Sequence, residues 1–255
     1  MQKYLLILVV YLLELNVAIA QDTSAKEKDN SKPTNVYSQV DNFLEFTRYK
    51  TYNTFGYNPK LSYTPNEDNA LNIEMPLLYS TKTGKFGLSD IRLRYFYIPY
   101  RDYSKTFGAF GVSVDMFVPT GKFEDGLGSS SWRFSPGFTF GLILNQSQTI
   151  SAFPVISYIY TTEPTASSIP EELREVDHGL NAQVITSFVL SEDAFILVTP
   201  IYDLKDIQDE KEDDFMIEIE SVFDIAKDKY QIGAFYRGAF ISESHTFRIF
   251  FTVFL

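Results

Sequence analysis

The polarity of the side chains alternates with a period of two along most of this chain, from about residue 41 to the end. In the last segment, Phe247, Ile249 and Phe251 fall on one face, whereas Arg248 and Thr252 fall on the other. The same alternation recurs in segments 91–97, 132–144 and 215–219. Because successive side chains of a β-strand point to opposite faces, this period predicts an all-β fold.

The composition of the two faces favours one of two β architectures. The chain contains 23 Phe and 17 Tyr. Large apolar and aromatic residues gather on one face, and the other face is mostly small, polar or charged, with Met216, Phe250 and Phe254 as exceptions. A soluble sandwich or barrel would have to pack the rings into one very large core. A transmembrane barrel turns them to lipid and encloses the polar face. We therefore expect outward-facing rings, with a soluble β-protein as the alternative.

The spacing of the turns indicates a transmembrane antiparallel up-and-down β-barrel. Roughly 10 to 15 residues per predicted strand are enough to cross a bilayer at a tilt. Through the middle of the chain, short connections alternate with long ones, which is typical of outer-membrane barrels. We predict about 12 strands, with 10 as the alternative. They cover residues 41–50, 54–64, 69–80, 88–99, 105–119, 130–144, 148–161, 178–191, 193–203, 213–225, 229–241 and 245–255.

The N-terminal segments differ from the rest of the chain. Lys3, the apolar run that follows it and the Ala18-Ile19-Ala20 cleavage site predict a signal peptide over residues 1–20. Residues 21–40 are polar and predict a flexible periplasmic lead-in, and residues 41–255 are assigned to the outer-membrane barrel. The final strand, FRIFFTVFL, resembles the C-terminal strand that the barrel-insertion machinery reads, although it ends in Leu255 and not in Phe.

Composition argues against several classes of function. The net charge of -11 argues against a nucleic-acid partner, and the absence of cysteine removes thiolate metal sites and cysteine nucleophiles. Neither His178 nor His245 belongs to the His-x-Ser pair of outer-membrane lipid hydrolases. We therefore predict no enzyme activity, no cofactor and no metal, with a lipid hydrolase at the barrel rim as the least favoured alternative. The acidic segment Asp203–Asp214 lacks the spacing of a calcium loop and predicts a solvated external loop.

The face opposite the rings carries the candidate functional residues. Charges in a narrow lumen must form pairs or meet water, because an isolated buried charge is costly. They therefore form either a salt-bridged plug or an electrostatic constriction for a small solute. Their excess of bases over acids favours anionic solutes. The candidate lumen and selectivity residues are Lys60, Glu74, Arg92, Arg94, Asp115, Arg133, Glu218, Glu220, Arg237 and Arg248.

The middle of the chain, from Gly84 to Thr161, resembles a known family. Gly87-Leu88-Ser89-Asp90, Pro119-Thr120-Gly121 and Gly126-Leu127-Gly128 are similar to the turns of the outer-membrane proteins grouped as the putative MetA-pathway of phenol degradation family. Ser89 stands where the family usually has a second Gly. The resemblance implies a membrane barrel that takes up small, often hydrophobic compounds. By themselves these residues predict loop shaping, with Asp90 accepting hydrogen bonds from nearby backbone N–H groups.

Together these features predict a porin-like transport protein in the outer membrane of a Gram-negative bacterium. Its expected role is a channel or facilitator for uptake of a small solute. A non-transporting structural or adhesive barrel with a salt-bridged, closed lumen remains the alternative. The expected partners are outer-membrane lipid and lipopolysaccharide, the barrel-insertion machinery through the C-terminal strand, and the solute.

Overall fold

In a computed structural model, the chain forms one closed antiparallel β-barrel. The structure describes residues 29–171, 174–204 and 213–255, so the predicted signal peptide and most of the acidic segment lie outside the described residues. The strands are β1 Gln39–Arg48, β2 Asn53–Asn66, β3 Asn69–Glu74, β4 Leu77–Ser80, β5 Lys85–Leu88, β6 Ile91–Arg101, β7 Phe107–Val118, β8 Arg133–Ile143, β9 Ile150–Thr161, β10 Asp177–Ser191, β11 Ala194–Leu204, β12 Asp214–Ala226, β13 Tyr230–Ala239 and β14 Ser244–Phe254.

The barrel closes because β1 pairs with both β14 and β2. β3 and β4 both pair with β2 and together occupy one strand position of the barrel wall. β6, which pairs with β3, and β5, which pairs with β4, together occupy the next position, so the 14 elements form a barrel of 12 strands. The predicted strand 69–80 is thus interrupted at Met75 and Pro76, and the predicted strand 88–99 begins earlier and is interrupted at Ser89 and Asp90. Proline has no N–H to donate to a neighbouring strand. The prediction of a 12-strand barrel is confirmed.

The rings and the charges face the predicted directions. Phe247 and Ile249 are 50% and 59% exposed, while the side chain of Arg248 between them is paired with Glu45 on the enclosed side. The sequence alternation fails at Ser221 and Val222, yet the strand continues through both residues. Val222 is 2% exposed and packs inside the barrel. An apolar residue therefore faces inward and a polar residue faces outward at this point, while the side chains keep their alternation along the strand.

Two ends of the barrel can be distinguished by their connections. The short-turn end contains Gln39, Phe254 and tight turns such as the one at Glu192 and Asp193. The long-loop end contains segments 119–132, 162–176 and 205–213, of which 172–173 and 205–212 are not described. The short 3-10 helix Phe123–Asp125 lies in the first of these loops. Within the described ranges, no helix is long and apolar enough to cross a membrane.

Apolar side chains fill the inside of the barrel near its short-turn end. Phe195, Val222 and Phe250 form a buried cluster against which Phe43 and Leu197 pack. On the opposite wall, buried apolar residues continue this filling: Ala70, Ile98, Ala109, Ile143 and Phe153. Phe250 and Phe254, two exceptions in the sequence pattern, are inward-facing positions of this packed region, whereas Met216, the third exception, faces inward near the long-loop end of β12. Phe250 and Phe254 therefore belong to the part of the lumen that is filled with protein, and Met216 does not.

Residues 29–38 cross the short-turn end. Asn30 donates a hydrogen bond to Gln231 of β13 at 3.1 Å, while Arg101 of β6 donates one to the carbonyl of Thr34 at 2.7 Å. β13 and β6 are separated by four strands of the barrel wall. Tyr103, in the turn between β6 and β7, also hydrogen-bonds Thr34 at 2.6 Å. This segment, part of the predicted lead-in, therefore joins distant parts of the barrel rim.

Candidate functional site: the barrel lumen

Eleven ionisable side chains lie on the enclosed face of the barrel wall. We call this set of residues the charged belt. Neighbouring strands present its members to one another because alternate residues of each strand point inward. Its members are Asp41, Glu45, Lys60, Glu74, Arg92, Arg94, Asp115, Glu218, Glu220, Arg237 and Arg248.

One wall of the charged belt is a continuous ladder of opposite charges. The Nζ of Lys60 lies 2.7 Å from Asp41, and Lys60 is also directly opposite Glu74 in the β2–β3 register. Glu74 in turn lies 3.5 Å from Arg92. Arg92 donates its Nε to Asp115 at 2.9 Å. The ladder therefore passes across β1, β2, β3, β6 and β7 with alternating sign, an arrangement that offsets the desolvation of each charge.

Asp115 links two arginines of the same strand. Its carboxylate accepts the Nε of Arg92 and the Nε of Arg94 at 3.0 Å, together with one terminal nitrogen of each guanidinium. Arg92 and Arg94 are two residues apart, so both point inward from β6. Because two cations share one carboxylate, Glu74 supplies the second negative charge that this wall needs.

The other wall consists of two ion pairs and of Glu220, a carboxylate that belongs to neither pair. Arg237 of β13 donates its Nε to Glu218 of β12 at 2.6 Å, and Arg248 of β14 donates its Nε to Glu45 of β1 at 2.7 Å. Arg92 also interacts electrostatically with Glu218 of β12, which lies six strands from β6 in either direction around the 12-strand barrel and therefore directly opposite it. The two walls therefore face each other across a narrow lumen.

Nine of the predicted lumen residues lie in the charged belt, and Arg133 lies nearer the long-loop end. Sequence reasoning missed Asp41, Glu45 and Asp203, which pair with Lys60, Arg248 and Arg133 respectively. Asp41 and Glu45 belong to the first strand, and Asp203 was assigned to the acidic loop. With these three acids inside, the predicted excess of basic residues is wrong: the described lumen charges contain more acids than bases.

A cavity of about 270 Å³ opens at the long-loop end of the lumen. Arg133, Phe117 and Ile159 contribute to its wall from the strands, and Ser129 and Asp90 contribute from the loops. Arg133 lies 3.5 Å from Asp203, and its buried Nε has no hydrogen-bond acceptor among the residues that the structure describes. The cavity thus combines one partly satisfied guanidinium with hydroxyl groups and an apolar floor.

Asp90 holds the loop that partly covers this cavity. Its carboxylate accepts the backbone N–H of Gly121 at 2.9 Å and of Ser129 at 2.7 Å. A Cβ on Gly121 would lie 2.2 Å from the carbonyl oxygen of Leu127, so the two sides of the loop approach too closely for a larger residue. Leu127 is 4% exposed. The predicted loop-shaping role of Asp90 is confirmed.

Both histidines are hydrogen-bonded to tyrosines. His178 Nδ1 pairs with the hydroxyl of Tyr158, and His245 Nδ1 lies 3.0 Å from the hydroxyl of Tyr236. In the part of the chain that the structure describes, no serine hydroxyl bonds to either ring. Nor does any group of three or more His, Asp or Glu side chains that could hold a metal ion occur there.

Comparison with solved structures finds the same fold in outer-membrane channels. The COG4313 outer membrane channel from Pseudomonas putida F1 matches with a TM-score of 0.62 and 10% sequence identity, over 92% of this chain and 99% of that one. The NanC porin matches with a TM-score of 0.59 at 8% identity, over 85% and 99% of the two chains. KdgM porin in complex with disordered oligogalacturonate gives 0.57 at 10% identity, with the same coverage.

Comparison with protein-family models finds no match, and comparison with curated proteins finds none. The resemblance to the phenol-degradation family therefore stays a prediction. At such low identities the structural matches establish the fold, which is that of an outer-membrane β-barrel. They do not identify a solute for this chain.

Proposed function

We propose that this protein is an outer-membrane channel through which a small solute passes by passive or facilitated diffusion. The observation that carries the proposal is the orientation of the wall. Exposed rings such as Phe247 and Phe138 surround the barrel, and the eleven ionisable residues of the charged belt are enclosed by it. The apolar exterior suits contact with lipid, and the charged interior suits an aqueous path through the barrel. The fold shared with porins supports the same function.

The proposed orientation follows from the connections. The short-turn end faces the periplasm and the long-loop end faces the exterior, as is general for barrels of this kind. In this arrangement β14 would be read by the barrel-insertion machinery, and the long-loop end would contact lipopolysaccharide. Uptake of small hydrophobic compounds, which the family resemblance implies, belongs to the same proposal.

One observation favours the second candidate, a barrel that does not transport. The lumen near the short-turn end is packed with buried side chains such as Ile98 and Phe153, which are 1% and 0% exposed. Residues 29–38 cross the rim beyond them. A channel function requires this end to open, whereas a structural barrel does not.

Conductance of the refolded protein in planar bilayers separates the two functions. We expect discrete channel events from the full barrel, larger events after deletion of residues 29–38, and altered conductance for Arg92→Ala. Lys50→Ala is the control, because Lys50 pairs with Glu243 in an exposed position outside the lumen. Silence of both the full chain and the deletion variant would refute the channel and support the closed barrel.

A further inference from the structure

Glu220 differs from the other carboxylates of the charged belt. It lies at the middle of β12, directly opposite Leu197 of β11 and Phe235 of β13, and is half-buried. Asp41, Glu45, Glu74, Asp115 and Glu218 each contact a cationic side chain within 4 Å. Within residues 29–171, 174–204 and 213–255, Glu220 has no hydrogen bond and no ion pair.

The charged belt contains one more carboxylate than cations, and Glu220 is the carboxylate that no cation pairs with in the described residues. The charged belt holds five cations and six carboxylates, a surplus of one negative charge. Two cations that act electrostatically on Glu220 are Lys60 and Arg248. Each is already held by another acid at 2.7 Å, Lys60 by Asp41 and Arg248 by Glu45. Glu220 is therefore the site of the uncompensated charge.

The surroundings of Glu220 define what it can bind. An enclosed carboxylate without a partner is costly, and a mobile cation lowers that cost. Leu197 and Phe235 flank it, and Val222 below it belongs to the buried apolar cluster. The ring of Phe235 lies 5.7 Å from the guanidinium of Arg237 and 5.3 Å from that of Arg248. The carboxylate would bind the charged head, while the apolar flanks suit a short alkyl group.

We propose that Glu220 is a cation-binding residue of the lumen, which takes a small monovalent organic ammonium ion. Its effect on permeation rests on the proposed channel function, whereas binding at the carboxylate needs access from only one end of the barrel. The surplus charge at this height attracts cations and opposes anions. A channel built in this way passes cationic solutes in preference to anionic ones.

Binding is tested with methylammonium as the probe, by saturation-transfer NMR on the refolded barrel in detergent micelles. We expect a saturable signal from the parent protein, its loss in Glu220→Gln, and its partial recovery in Glu220→Asp. The matched control is Glu218→Gln combined with Arg237→Gln, which removes a neighbouring ion pair without changing the net charge of the belt. This control should retain the signal.

The ratio of cation to anion permeability, measured from reversal potentials in a potassium chloride gradient, supplies the second readout. We expect Glu220→Gln to lower the ratio at least about threefold, because one unit charge beside the path is removed. Absence of methylammonium binding in the parent, or equal binding in Glu220→Gln, would overturn the proposal. So would a conducting Glu220→Gln channel with unchanged selectivity. Binding without any conductance in the parent would support the cation site and refute the channel function.

Discussion

The ladder of charges predicts that Asp115→Asn strongly destabilises the barrel. The carboxylate accepts bonds from Arg92 and Arg94, and the side chains of the three residues are 15%, 22% and 30% exposed. Removing one partner of a buried ion pair costs about 3–5 kcal/mol, since a charge is left without compensation. Both guanidiniums keep some contact with the lumen, and Arg92 keeps Glu74 at 3.5 Å. We therefore expect a loss near the lower limit, about 3 kcal/mol.

Urea unfolding of the refolded protein in micelles measures this loss, with the fluorescence of Trp132, the single tryptophan of the chain, as the signal. Asp102→Asn is the control. Asp102 pairs with Lys105 at 2.6 Å in a tight turn where the two side chains are 31% and 65% exposed, so we expect no measurable change. A loss below about 1 kcal/mol for Asp115→Asn would show that the ladder behaves as a solvated surface pair.

Three further substitutions test other parts of the barrel. Gly56→Ala would place a Cβ 2.0 Å from the carbonyl oxygen of Leu77, so we expect β2 and β4 to separate. In SDS electrophoresis of unheated samples, the band of the folded barrel should then be lost. A folded band like that of the parent protein would contradict this. Phe250→Ala removes a ring that is 6% exposed and lies 5.4 Å from the ring of Phe43. We expect it to lower the free energy of unfolding by about 3–5 kcal/mol in the same urea assay. A change below about 1 kcal/mol would argue against a packed short-turn end. Asp90→Ala releases the backbone N–H groups of the 119–132 loop and should speed proteolysis within that loop while leaving the urea midpoint unchanged; unaltered cleavage would show that the loop is held by other contacts.

The period-two pattern was enough to predict the wall of the barrel. Outward apolar side chains alternate with inward small, polar or charged side chains along the strands, and the number of such segments predicts the strand count. Local sequence was less informative about continuity, because Pro76 and the Ser89-Asp90 pair interrupt predicted strands without removing them from the barrel. At Ser221 and Val222 the pattern was misleading, since an inward position near the short-turn end is apolar.

The pairing of the lumen charges could not be predicted in the same way. Lys60 and Asp41 are 19 positions apart in the chain and face each other across the β1–β2 hairpin, in a register that spacing along the chain does not give. Arg248 and Glu45 are 203 apart and meet only because β14 closes the barrel against β1. The amino-acid sequence alone determined which side chains face lipid and which are enclosed, since that depends on the alternation within each strand. Strand register and closure decided which charges compensate one another, and hence that Glu220 has no partner among the described residues, because distances between side chains on different strands exist only once those strands have paired.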